Sequence, residues 1–431
     1  MIRDTPELIL ILAIAATLLG ACGDDGSGSD AGDTGTPDDT GSLGDGSSDT
    51  AIRDAPPPID SGGSVVDAAS CEQADVEDAI GRASVGDTVA VPAGTCTWSG
   101  LTLDHAIHLR GAGTDATIIT VADVSVRKRP DGVTRISGFG FEKTGGGNES
   151  KGFVVGGSWR DAQPVVFQDC RFTISGTGLF RLNVAGGVII ARSEFTGEWD
   201  DSFIQPKDSG DSDGSWTSAD TMGMRDADGT LNHYVEDNTF TGGTNQGIDA
   251  DDATRVVYRH NTLTYSSFNT HGLATSSDGV RHFEVYENEF IHDGGETMLA
   301  NQNWLIWIRG GTGVIWGNTF ADIAGSYWGD KAEIQLTIRG AEDARPQGDC
   351  ADVSYPVPRQ LGQSHDGSNP ITDPIYIWGN TGASEVAADW NWGNPCGLTF
   401  DDFFQWGRDA YDDGTERPDY APFTYPHPLV L

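Results

Sequence analysis

The chain is 431 residues long and strongly acidic, with 65 Asp and Glu against 26 Lys and Arg and a formal net charge of −39. Such a field repels the phosphate backbone and argues against a nucleic-acid partner. It admits an anionic substrate only where clustered cations or a bound metal ion reverse it locally.

The first 22 residues read as a targeting segment. Leu8 to Ala21 is an apolar-rich run, too short to span a bilayer but long enough for a signal-peptide core. It closes on Leu19-Gly-Ala-Cys22, which resembles the bacterial lipobox. The resemblance implies a signal peptide over 1–21 and lipidation of Cys22. With Gly23 next rather than Asp, it also implies sorting to the outer membrane or cell surface. The leader's start departs from that pattern, because Arg3 is offset by Asp4 and Glu7. Residues 22–66 are Gly, Ser, Asp, Thr and Pro with almost nothing apolar, so they cannot bury a core and form a solvated tether. Its root-mean-square reach is roughly 35 Å. Membrane contact is expected through the lipid anchor only.

From residue 67 to 385 one phrase keeps returning: an apolar strand, an Asn-centred turn, an aromatic. It reads Val235-Glu-Asp-Asn-Thr-Phe240, Tyr258-Arg-His-Asn-Thr-Leu263, Val285-Tyr-Glu-Asn-Glu-Phe290 and Ile315-Trp-Gly-Asn-Thr-Phe320, with a degenerate copy ending at Gly382. Earlier copies carry Cys170 or Ser193 in the Asn slot, before Phe172 and Phe195. Successive asparagines from Asn238 to Asn318 are 23, 27 and 30 residues apart, and the gap of 45 from Phe195 to Phe240 fits two turns or one loop-bearing turn. Self-similarity at such periods, in units that alternate with period two and are rich in Val, Ile, Phe and Thr, means a stacked β-coil. Three residues before the Asn slot, Phe167, Ile190, Val235, Tyr258, Val285, Ile315 and Ile377 form a column that should point inward. One residue later, the column ending in Tyr286, Trp316 and Trp378 should point outward. The Asn amides should stack in an internal ladder, at a bend whose unusual φ they tolerate.

This pattern resembles the right-handed parallel β-helix of the pectate-lyase-like superfamily. Residues 75–95 look like that superfamily's amphipathic capping helix and first strand, and Ile107–Gly113 with Thr117–Ile119 like its next coil. The implied fold is an all-β right-handed parallel β-helix solenoid, monomeric, with an N-terminal cap and an irregular tail over 386–431. Cys71 and Cys96 flank the cap, and a bridge would pin it to the first coil. Cys350 and Cys396 would staple the C-terminal region, leaving Cys170 as a buried free thiol. In the family, the strand preceding the Asn-bearing one floors the substrate cleft. The candidates here are Gln246–Ala250, His271–Thr275, Leu305–Arg309 and Ile334–Arg339, with residues 198–232 and 340–374 as groove walls.

Within that frame the polar residues cluster between Asp249 and Glu284. His271 is Gly-flanked and polar in context, a candidate general base, with Arg281, Arg309 and Arg255 as neighbouring cations and Lys331 as a weaker candidate base. Asp249, Asp251 and Asp252 are oxygen donors of the type that holds Ca²⁺, unless they are a solvated turn. Tyr286, Trp316 and Trp378 are either a sugar-stacking platform or packing beneath a loop or the tail. Three functions remain open. A lyase cleaving an acidic, uronate-containing polysaccharide would use His271, Arg281, Arg309 and an Asp-bound Ca²⁺. A glycoside hydrolase would use the aspartates as its two carboxyls. A non-catalytic glycan-binding lipoprotein would need only the aromatics and a groove.

Overall fold

The computed structural model describes residues 63–431 apart from 145–151, 158–161, 177–179, 184–185, 200–201, 208–225, 227, 243–245, 252, 272–279, 293–303, 322–331, 339–360, 366–369, 383–384 and 391–398. The leader, Cys22, the tether, Asp252, Lys331, Cys350 and Cys396 lie outside the described residues.

The phrase that repeats in sequence is a coil that repeats in space. Each coil gives one strand to each of three parallel sheets. Among the described residues sheet I has 12 strands and sheets II and III have 10 each, and the chain is a parallel β-helix. One coil shows the plan: His233–Glu236 lies in sheet I, Thr239–Gly242 in sheet II and Gln246–Ala250 in sheet III. Phe195 pairs directly with Phe240, so the gap of 45 is one loop-bearing turn.

The corner between sheets I and II is where the asparagines act. Asn238, Asn261 and Asn288 each donate from Nδ2 to the Oδ1 of the next Asn at 3.0 Å, and Asn318 donates to Asn380 at 2.9 Å. Each Oδ1 also accepts the backbone N–H of the preceding rung, as Asn288 does from Asn261. Ser193 and Cys170 continue the column: Ser193 donates its N–H to Asn238, and Cys170 donates to Ser193 Oγ. The unusual φ sits one residue earlier than the sequence suggests. Asp169, Arg192, Asp237, His260 and Glu287 have φ of 47–57°, and Gly317 and Gly379 fill the same place at 65° and 64°. Only glycine adopts that conformation without strain, so the ladder must hold the other five corners in place.

The inward column is buried throughout, from Phe167 to Ile377. Beside it the phrase's aromatics stack: Phe141, Phe172, Phe195 and Phe240 have centroid separations of 5.6, 4.9 and 4.5 Å. Leu263 interrupts the pile before Phe290 and Phe320 resume it. The helix Gln73–Arg82 lays Val76, Ala79 and Ile80 over the first coil, covering strand edges that would otherwise template aggregation. Cys71 and Cys96 are bridged. Cys170 is free, with burial pushing its thiol up to about 12.

Two boundaries differ from expectation. Val386–Trp390 and Ala410–Tyr411 extend sheets III and I, so coil pairing continues past residue 385. Ile204–Pro206, inside the stretch read as a loop, is a sheet III strand; three residues without an Asn or an aromatic marker leave no repeat to recognise.

The last residues lie along the outer face of sheet I. Arg259 donates to Glu236 at 2.6 Å, to the Tyr286 hydroxyl, and to the Phe423 and Thr424 carbonyls. Farther along, Arg135 donates to the Leu429 carbonyl. Tyr286 stacks on Trp316 and Trp316 on Trp378, while Tyr420 meets both tryptophans edge-on. Tyr420 also accepts from Trp316 Nε1 and donates to Glu284. The Tyr286, Trp316 and Trp378 column is therefore a packing seam, and the sugar-platform reading gives way. Phe423, Leu429 and Val430 bury that side of the sheet.

Replacing Asn288 by Ala removes four hydrogen bonds at one buried corner and should cost about 3 kcal/mol or more in urea unfolding. Tyr258→Phe should do the opposite and stabilise by about 1 kcal/mol, because the Tyr258 hydroxyl is buried in the coil without a partner. Stability should also fall with acid. Burial, then the charge of Arg259, lowers His427 to about 4, and burial, then Arg135 and Arg110, does the same to His108. Between pH 6.5 and about 4 the unfolded chain binds protons that the folded one refuses, so lowering the pH across that window destabilises. The melting temperature should drop from pH 7 to pH 5, and His427→Gln should lessen the drop.

Candidate functional site

Alternation along sheet III turns Ile248 and Ala250, Phe268, and Ile306 and Ile308 into the core. Their neighbours must then face out. Register pairs Asp249 with Asn269 and Asn269 with Trp307, which makes one outward row. The second row is fixed by rung bonds. Lys207 N donates to Leu182 O, Asp251 N to Pro206 O and His271 N to Ala250 O at 2.6 Å. Lys207, Asp251, His271 and Arg309 thus follow one another up the coil.

The two rows are coupled by charge. Arg309 Nη2 meets Asp249 Oδ1 at 2.9 Å, and its Nε donates to the Thr270 carbonyl at 2.6 Å. Its guanidinium lies 4.0 Å over the Trp307 ring. That indole is held in turn by Thr337, whose hydroxyl donates to Asp389. Asp251 stands between two partners, with His271 Nδ1 at 3.6 Å and Lys207 Nζ at 3.7 Å. These are ion-pair rather than hydrogen-bond distances. The aspartates and Arg309 are nearly buried, whereas the side chains of His271 and Lys207 keep 25% and 28% of their surface exposed. The reactive surface is therefore His271 and Lys207, with the acids beneath them.

Asn269 lies in the middle of this group. Its Oδ1 accepts from Ser267, and its buried amide nitrogen has no hydrogen-bond partner. A buried donor left unpaired costs about 1–3 kcal/mol.

The structure thus brings together His271, Arg309, Asp249 and Asp251. Arg281 stands apart. It is 1% exposed at the turn into the sheet I strand His282–Tyr286, and its N–H donates to Thr254. The N–H of its neighbour Val280 donates to the His271 carbonyl, and the Arg281 side chain presents almost no surface to solvent. Arg255 is likewise buried, beginning a sheet I strand. The strand expected at 271–275 is Ser267–Thr270, because Phe268 is the residue that fits between Ile248 and Ile306 in the core column. Lys207 and Asn269 were missed. Both lie on strands without the Asn phrase, and only an apolar neighbour at period two, Ile204 or Phe268, hints at their direction.

Calcium finds a poor fit at Asp249 and Asp251, whose carboxylates already face Arg309, His271 and Lys207. Among the described residues no three His, Cys, Asp or Glu converge as a metal site would require, and the third expected ligand, Asp252, lies outside them.

No family model matches the chain, and no curated protein matches it. Among solved structures it is similar to an alginate lyase from Paenibacillus sp. str. FPU-7, at 13% identity and a TM-score of 0.34, over 60% of this chain and 95% of that one. A likeness at that level carries no argument about the reaction, and the β-helix rests on its own three sheets.

The Arg309–Asp249 pair has a simple test. Asp249→Ala strands a buried guanidinium and should destabilise by about 3–5 kcal/mol, whereas removing both charges in Asp249→Ala with Arg309→Met should recover most of that loss. Urea unfolding of the three proteins decides it.

Proposed function

We propose that the protein is a polysaccharide lyase that cleaves an acidic, uronate-containing chain by β-elimination on the outer face of sheet III. The observation that carries this reading is the placement of His271, a partly exposed imidazole with a carboxylate at Nδ1 and a cation beyond that carboxylate. Asp251 favours the proton on Nδ1, which leaves Nε2 as the nitrogen that takes one. Abstraction of the C5 proton builds negative charge beside the uronate carboxylate. A cation must already be near that carboxylate for the base to act. Lys207 is the exposed candidate, and Arg309 supplies fixed positive charge from below. The C4–O bond then breaks with its electron pair going to the leaving sugar oxygen, which takes up a proton, and a C4=C5 double bond remains. Asn269 is suited to a substrate hydroxyl. No step is routed through a metal.

A hydrolase is less well supported. Asp249 and Asp251 lie on one strand, both nearly buried against cations, and neither reaches out to flank a glycosidic bond. As part of the same proposal, a lipid at Cys22 and the tether would hold the domain at the outer membrane or cell surface, within reach of large extracellular polymers.

The deciding assay is ultraviolet absorbance of an unsaturated uronate when the protein is incubated with uronate polysaccharides. Reducing ends without that absorbance would indicate a hydrolase, and binding with neither product would indicate a passive glycan binder. His271→Ala should lower turnover by about 10²–10⁴ with little change in substrate affinity. An unchanged rate removes His271 from the mechanism.

A further inference from the structure

The outer face of sheet III changes character along the solenoid. On the side toward the cap, four strands lie between the site and the short end strand Thr102–Leu103: Val124–Arg127, Phe153–Gly156, Phe180–Leu182 and Ile204–Pro206. Their inward side chains are core residues. Their outward ones are all half-buried or exposed, unlike the closed ground around Asp249 and Arg309. Three of these outward residues are cations. Arg127 lies at the end of the first strand, Arg181 in the middle of the third, and Lys207 directly after the fourth, two positions below His271 in the same row. The remaining outward positions there, from Ser125 to Gln205, carry no charge. In a chain with 65 acids and 26 bases, three outward cations against one exposed outward carboxylate, Asp104 next to Arg127 in the same row, are a local reversal of the field. Such a reversal concentrates anions where it faces solvent.

We infer that Arg127, Arg181 and Lys207 form a binding lane for an anionic glycan chain, which runs along the solenoid from the capped end to His271. The inference rests on the lyase reading for what happens at the lane's end, but not for the lane itself. Strands are stacked about 4.8 Å apart, so Arg127 and His271, five strand spacings apart, are separated by roughly 24 Å. That length spans several sugar residues. The cations alternate between the two outward rows, Arg127 and Lys207 in one and Arg181 in the other, so carboxylates projecting from either side of an extended chain meet one. A substrate long enough to occupy the lane is held at several points before the bond at His271 is addressed, so the protein acts on polymer in preference to short oligomers.

The test measures binding on the full chain carrying His271→Ala, so that nothing is cut, with polygalacturonate, alginate and hyaluronate as probes and dextran as the uncharged control. At least one polyuronate should bind and dextran should not. Adding Arg127→Gln and Arg181→Gln should weaken binding roughly tenfold and make the dependence of affinity on salt shallower, as expected when two charge contacts are lost. Both side chains are open to solvent, so an unchanged melting temperature is the check that the variants fold. The lane is overturned if affinity and salt slope survive the double substitution or if no polyuronate binds. It is equally overturned if dextran or a DNA duplex of similar length binds as tightly. The two readings fail separately. A polymer held through the lane but left intact by the unmodified protein removes only the lyase. A polymer that is cut with its KM unmoved by the arginine substitutions removes only the lane.

Discussion

Everything in this molecule depends on a corner that must be turned in the same way in every coil. A parallel coil stacks only if successive strands keep register, and a slip of one residue would send each inward phenylalanine to the outside. The asparagine ladder prevents that slip. Each amide ties its own corner to the coils on both sides, and together they hold Asp237, His260 and Glu287 in the left-handed region, while Cys170 and Ser193 continue the column at Asp169 and Arg192. The bonds lie in the interior, where water cannot compete for them and an unmade one is costly. The phenylalanine pile and the capping helix add burial to a geometry that the ladder has already set.

Because register is fixed, outward positions become rows, and rows place side chains far apart in sequence within reach of one another. Lys207, Asp251, His271 and Arg309 come from four coils and share one line on sheet III. The same rule on sheet I yields a different result. There the outward row is aromatic and charged, and the C-terminal tail covers it through Arg259, Glu236 and Tyr420. The arginine is fully buried but keeps a carboxylate, a phenol and two carbonyls as partners, which is the condition under which a buried charge is tolerated. One face of the solenoid is thereby covered by the tail, while His271 and Lys207 on another keep part of their surface exposed.

Charge on sheet III is segregated within an acidic protein. The carboxylates Asp249 and Asp251 are turned against cations beneath the surface, and the outward groups from Ser125 to Gln205 are basic or neutral, with exposed Asp104 at the end of the sheet. Net charge describes the molecule at a distance, whereas a polymer lying on the sheet meets the local row.

Much of the fold was legible in the chain itself. The Asn slot, the inward column from Phe167 to Ile377 and the buried slot of Cys170 follow from spacing and period, because a repeat prints the same local constraint on the sequence at every turn, while the cap and the Cys71–Cys96 bridge that flanks it were implied by the resemblance to a known fold. His271, Asp249 and Arg309, singled out for their polar setting beside apolar strands, lie on one face of sheet III. Other features lie beyond any local pattern. Lys207 and Asn269 gain meaning only from lateral register, which is set by which apolar residue fits the core of the neighbouring coil. The fate of Tyr286, Trp316 and Trp378 was decided by a tail more than forty residues downstream of the last of them, since an outward aromatic looks the same in sequence whether sugar or protein will cover it. The burial of Arg281 was hidden for the same reason: closeness along the chain does not say how deeply a side chain at a corner is covered. The sequence by itself determined the coil and its interior, because those depend on neighbours one repeat away. What faces outward, and what meets it there, was decided only by tertiary structure, because that depends on segments with no periodic relation to the coil.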